Sequence, residues 1–210
     1  LKQMTGLPQN FYGVIQDTAS TATLTALLTA REKMTNYQIN SKGFDQSKYR
    51  IYCSSETHSS IEKGVKIAGF GMENLVKVDV DEFYRLDTNA LERAIKSDLS
   101  KDFIPLCVVA TIGTTGSTAI DPLDRIGIIA QKFNLWLHVD AAFAGTALIL
   151  DEFKWMINGI EKADSFVFNP HKWMFTNFDC SAYYVKDKEA LIKTFSINPE
   201  YLKTKTAGEV

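Results

Sequence analysis

Leu106-Cys107-Val108-Val109-Ala110-Thr111, then the stretch from Leu123 to Phe133, then Leu135-Trp136-Leu137-His138-Val139, together decide the fold class. The outer two runs have strand length and are apolar almost throughout, as expected of strands covered on both faces by helices. The middle run is an amphipathic stretch of helix length. The same rhythm extends outward in both directions. Helices are predicted over 19–34, 59–68, 89–99 and 188–195, and strands over 49–53, 75–78, 165–168 and 181–185. This alternation predicts an α/β domain with a mainly parallel sheet flanked by helices. The last two strands are separated by so short a segment that they read as antiparallel neighbours.

The composition is that of an ordinary globular domain: 210 residues, 45% hydrophobic and 23% charged, with a formal net charge of −2. No basic stripe argues for nucleic acid or for an anionic membrane surface. No apolar run reaches the length of a membrane span, and nothing resembles a signal peptide. Cys53, Cys107 and Cys180 are odd in number and far apart, so free thiols in a reducing cytoplasm are expected. Leu1 falls in what reads as mid-helix and Val210 follows a polar tail, so the chain reads as a fragment.

Ligands of open α/β sheets collect at the carboxyl ends of the strands, and several such ends here carry unusual polar residues. Asp140 stops an apolar strand and is followed by the small residues Ala141 and Ala142. A carboxylate at that depth needs a cationic partner, although capping of the next turn is the plainer reading of Asp140 alone. Asn169-Pro170-His171-Lys172 forms a turn beyond the strand at 165–168. A lysine beside a histidine and aromatics is a candidate nucleophile toward aldehydes, and by itself also an ordinary turn lysine.

Thr18-Ala19-Ser20 opens a helix, where free N–H groups make a seat for phosphate or a plain N-cap. His58 stands between a strand and a helix, able to lie flat over a ring or to bond backbone. The strand end Ala110-Thr111-Ile112-Gly113-Thr114-Thr115-Gly116 adds hydroxyls at a tight turn. A metal cluster is not suggested.

His138-Val139-Asp140-Ala141-Ala142 followed by Asn169-Pro170-His171-Lys172-Trp173 resembles the group II pyridoxal-5′-phosphate (PLP) decarboxylases. Gly13-Val14-Ile15-Gln16-Asp17-Thr18-Ala19-Ser20, Ser54 to Ser60, Asn177-Phe178-Asp179-Cys180-Ser181 and Pro199-Glu200-Tyr201-Leu202-Lys203 point to the aromatic-L-amino-acid decarboxylase branch. The resemblance implies a fold-type I large domain over 1–195, with 196–210 beginning a mobile catalytic loop. It implies that an N-terminal segment and a C-terminal small domain are missing, and that the full protein is a homodimer.

It also implies roles. Lys172 matches the lysine that holds PLP and is displaced by the substrate amine, and Asp140 the carboxylate paired with the pyridine nitrogen. His58 matches the histidine stacked on the ring, with Ala142 near the other face. Thr18, Ala19 and Ser20 match the phosphate seat, with Asn169 and His171 near it. Thr115 matches the threonine close to the ring's 3′-oxygen, and Tyr201 the loop tyrosine that protonates the substrate Cα. The implied activity is conversion of an aromatic L-amino acid to its amine and CO2. Glutamate-type decarboxylation, aldehyde formation, and a catalytically incompetent PLP-binding fragment are the alternatives. Phe11-Tyr12-Gly13 stands where relatives often have a glycine run, which puts the approach to the phosphate seat in question.

Overall fold

Two sets of buried apolar side chains, one on each face of a single sheet, organise residues 1–197, the part of the chain that the computed structural model describes. The elements run α1 (Lys2–Thr5), β1 (Tyr12–Gln16), α2 (Ala19–Met34), α3 (Gln38–Lys42), β2 (Tyr49–Ser54), α4 (Ser60–Ile67), β3 (Leu75–Val78) and α5 (Thr88–Leu99). Then come β4 (Ile104–Thr111), α6 (Leu123–Lys132), β5 (Trp136–Asp140), β6 (Ser165–Phe168), α7 (Pro170–Trp173), β7 (Ser181–Val185) and α8 (Lys188–Phe195).

The sheet order is β1-β7-β6-β5-β4-β2-β3, parallel from β3 through β6. β7 pairs antiparallel with β6, as its short connection predicts, and β1 pairs antiparallel with β7. Two reversals make β1 run the same way as β6. The chain therefore enters α2 at the edge where β4, β5 and β6 end.

Alternate strand residues divide between the two faces. Val108, Ala110, Leu137 and Val139 pack with Leu91 and Ile95 of α5 and Ile126 of α6. Cys107, Val109, Trp136 and Val167 pack with Ala22, Ala26 and Leu27 of α2 and Ile61 and Val65 of α4. Ala22, Ala26 and Ala30, four residues apart and fully buried, let α2 lie close against the sheet. Each large apolar side chain so buried, Leu27 for instance, contributes about 1.5–3 kcal/mol.

Helix starts follow the capping residues. Thr18 accepts from Thr21 N–H, Asp87 from Asn89 and Ala90 N–H, and Asp187 from Ala190 N–H. Two glycines are needed where the chain turns at the strand ends. Gly113 has φ +80° and a Cβ there would lie 2.5 Å from that of Ala144; a Cβ on Gly145 would lie 2.5 Å from that of Phe168.

Some of the structure departs from the sequence reading. The Gly13-Val14-Ile15 segment, over which no strand is predicted, lies in an edge strand, and Asn169-Pro170-His171-Lys172 runs into a single helical turn with Pro170 at its start. The segment between β5 and β6 is folded into 3-10 turns (Gly145–Ile149, Asp151–Ile157, Ile160–Lys162) for which no element was predicted. The three cysteines are free thiols, Cys53 and Cys107 buried and Cys180 partly so.

Candidate active site

A cleft of about 260 Å³ opens at the carboxyl edge of the sheet, between the ends of β4, β5 and β6 and the start of α2. Every candidate residue named above except Tyr201 lines it: Thr18, Ala19, Ser20, His58, Thr115, Asp140, Ala142, Asn169, His171 and Lys172. Tyr201 lies outside the described residues. Positions far apart in sequence meet because parallel strands all end at one edge.

Asp140 closes β5 and is 4% exposed. Among the described residues its hydrogen-bond donor is the Ala142 N–H, 3.0 Å from Oδ1. Burial pushes its carboxyl above the ordinary carboxylate range, opposed by that N–H and by the charges of Lys172 and His58. A buried carboxylate this lightly bonded is suited to a cationic ligand group.

His58 sits exposed before α4, and its Nδ1 accepts from the Ser60 N–H at 3.1 Å. That bond puts the proton of the neutral ring on Nε2. His171 is fixed by the same logic. Its Nδ1 accepts from the Cys180 N–H at 2.8 Å while the His171 backbone N–H donates to the Cys180 carbonyl, and its ring packs on Phe178 with centroids 4.5 Å apart. Burial, with Lys172 beside it, lowers its pKa, so it is a neutral ring with Nε2–H as its donor.

Asn169 is 3% exposed, and its Oδ1 accepts from Ser181 Oγ at 2.7 Å, which leaves the NH2 as its unspent donor. Lys172, in α7, is exposed, its Nζ 6.0 Å from the centroid of Phe143, whose ring meets Trp173 edge-on at 4.8 Å.

At the start of α2 the Thr18 hydroxyl is already committed, accepting from Thr21 N–H at 3.3 Å and meeting Thr21 Oγ1 at 3.0 Å. The N–H groups of Ala19 and Ser20, in the first turn, have no intrahelical acceptor and could donate to an anion. Asp17 accepts from the Thr18 N–H, placing a carboxylate beside that seat. Thr115 lies exposed on a turn that Thr114 ties through Ala119 N–H at 2.9 Å.

The conserved domain of pyridoxal-dependent decarboxylases matches residues 1–210. The chain belongs to the pyridoxal-dependent decarboxylase family. It is 44% identical over 214 residues to tryptophan decarboxylase 2 of Oryza sativa subsp. japonica, covering 98% of the chain and 42% of that protein. It is 46% identical over 201 residues to aromatic-L-amino-acid decarboxylase of Drosophila lebanonensis, covering 93% and 49%. The crystal structure of Oryza sativa TDC with PLP and tryptamine superposes with a TM-score of 0.92 at 36% identity, over all of this chain and 45% of that one. The chain thus spans less than half the length of these relatives, and its fold is that of the PLP decarboxylases of fold type I.

Within this family member the cleft also holds residues that the sequence reading left out of its site: Ser60, Thr111, Gly113, Phe143 and Phe178. Thr111 carried the same signal as Asp140, a polar residue ending an apolar strand. Ser60 and Phe178 lie in the stretches 54–60 and 177–181 that carry the resemblance, but nothing local to either residue points to the cleft; the fold brings them there.

Proposed function

We propose that residues 1–195 are the cofactor-binding large domain of an enzyme that decarboxylates an aromatic L-amino acid to its amine, with 196–210 beginning its catalytic loop. The observation that carries this is Asp140: a buried, lightly bonded carboxylate in the same cleft as the amine of Lys172. PLP, when bound, supplies an aldehyde that takes up an amine and a ring that accepts the electrons left at Cα as CO2 departs.

The residues present fit that group. Asp140 would pair with the ring nitrogen, and in a site drier than water this attraction is several times its bulk value. Lys172 would hold the aldehyde carbon until a substrate amine displaces it. His58 and Ala142 would bracket the flat ring. Ala19 and Ser20 N–H groups, Asn169 NH2 and His171 Nε2–H would donate to the phosphate. Thr115 would sit near the ring oxygen, and Tyr201 would deliver a proton to Cα. Closure of such a loop would also exclude water.

Three free cysteines fit a reducing, cytoplasmic setting. Among the described residues no helix is long and apolar enough to cross a membrane. Phe175 and Phe178 are 91% and 77% exposed beside the cleft, which fits a homodimer whose second subunit covers them.

The test is the absorption spectrum of the full-length protein with PLP, before and after borohydride, beside Lys172→Ala. A visible band that reduction traps in wild type but not in the variant supports the reading; no band in wild type overturns it. Products from tyrosine, tryptophan, DOPA, phenylalanine and glutamate then decide the substrate. Release of CO2 from glutamate alone, or an aldehyde in place of the amine, would replace the aromatic decarboxylase reading.

A further inference from the structure

We propose that Thr111 is a positioning residue for Asp140, its hydroxyl donating to the carboxylate oxygen that the Ala142 N–H leaves unmatched when a cationic ring is drawn against it. This rests on the reading of Asp140 as the partner of the ring nitrogen.

Thr111 ends β4 directly beside Asp140, its register partner on the neighbouring parallel strand. Residues so paired lie on the same face of the sheet, with backbones about 4.8 Å apart, within reach of a hydroxyl-to-carboxylate hydrogen bond on side-chain rotation. Both residues line the cleft. Thr111 is 4% exposed, and its Oγ1 has no hydrogen-bond partner among the described residues.

A buried, unmatched hydroxyl is a standing cost to the fold, and such groups call for a role. The backbone around it is firmly held. Thr111 N–H donates to Asp121 Oδ2 at 2.7 Å, Asp121 N–H donates to the Thr111 carbonyl at 3.0 Å, and Ile112 N–H donates to the Asp140 carbonyl at 2.9 Å. With the backbone clamped from both sides, rotation about the Cα–Cβ bond is the freedom left to the hydroxyl.

Asp140 Oδ1 already takes the Ala142 N–H, so a second donor on Oδ2 would hold the carboxylate plane still and keep it ionised against a ring cation. The competing reading is a β-branched residue kept for packing at a strand end. The two readings separate cleanly, because valine has the shape of threonine without the hydroxyl.

The experiment uses the full-length protein and compares Thr111→Val, Thr111→Ser, Asp140→Asn and the Thr111→Val/Asp140→Asn double variant. PLP affinity is read by titration of the visible band, and thermal unfolding is read with PLP removed. Thr111→Val should bind PLP about tenfold more weakly, the scale of one hydrogen bond to a charged group. Thr111→Ser should stay within about twofold of wild type, since the donor is kept. The PLP-free melting temperature of Thr111→Val should not fall, because an unmatched hydroxyl has been removed.

In the Asp140→Asn background, Thr111→Val should add nothing. Wild-type PLP affinity in Thr111→Val, or the same tenfold loss in both backgrounds, overturns the proposal alone. Wild-type PLP affinity in Asp140→Asn overturns the reading of Asp140 and the proposal with it.

Discussion

Asp121 and Asp140 are both buried carboxylates at the carboxyl edge of the sheet, and the chain bonds them differently. Asp121 spends both oxygens on the chain, taking the Leu86 N–H on Oδ1 at 2.8 Å and the Thr111 N–H on Oδ2 at 2.7 Å. It stitches the segment entering α5 to the end of β4. Asp140 takes the N–H of Ala142 on one oxygen and lines the cleft. Burial raises both carboxyls, Asp121 to about 6. A raised carboxyl is therefore common to both; what sets Asp140 apart is unspent bonding capacity facing a cavity.

The comparison breaks most visibly at the cleft. Lys172→Ala should abolish covalent capture of PLP under borohydride, a complete loss read by mass spectrometry of the reduced protein, while the fold stays intact because Lys172 is exposed. Retained capture would mean that another amine holds the cofactor. Asp140→Asn should weaken PLP binding by several hundredfold, about the scale of removing one partner from a buried charge pair. Its PLP-free stability should change little, since a side-chain carbonyl can still accept the Ala142 N–H.

Asp121→Asn should behave the other way, lowering stability by about 1–3 kcal/mol because an amide nitrogen must face one of two buried N–H groups. The pH dependence follows from the raised value. The folded protein holds the Asp121 proton more tightly than the unfolded chain, whose carboxyl keeps its ordinary 3.8. That stabilisation is full below 3.8 and is lost as the pH rises through about 6. The stability gap between wild type and Asp121→Asn, measured by thermal unfolding across that range, should narrow as the pH rises. A gap that widens would show that the carboxyl is not raised by the fold.

These two acids also mark what was legible in the sequence. Asp140 could be found because it interrupts an apolar strand and sits in a recognisable motif. Asp121 follows a loop, and no local pattern says that both of its oxygens will be consumed by N–H groups 35 and 10 residues away. The parallel core was readable because β4 and β5 are apolar on both faces. β1 was not readable as a strand, since Tyr12, Val14 and Ile15 are all substantially exposed and no inside-outside alternation survives. α3 is short, largely polar and entered through a left-handed Tyr37, which leaves no periodic signal. Thr111 shares with Thr114 and Thr115 a strand end rich in hydroxyls, and the resemblance attaches a role to Thr115 alone. Only the register with Asp140 sets Thr111 apart from them.

The smallest expected effect concerns two helix caps. Thr18 and Asp87 do the same local task, each accepting a first-turn N–H, at α2 and α5 respectively. Thr18→Ala and Asp87→Ala should each cost about 1 kcal/mol of PLP-free stability, read by thermal unfolding of the full-length protein. They should part company once PLP is added. α5 begins outside the residues lining the cleft, so Asp87→Ala should keep the full PLP-induced rise in melting temperature. α2 begins at the proposed phosphate seat, where a frayed first turn misaligns the Ala19 and Ser20 N–H groups, so Thr18→Ala should lose part of that rise. An equal rise in both variants would mean that the start of α2 is a cap like any other, and that the phosphate is held by Asn169 and His171 instead.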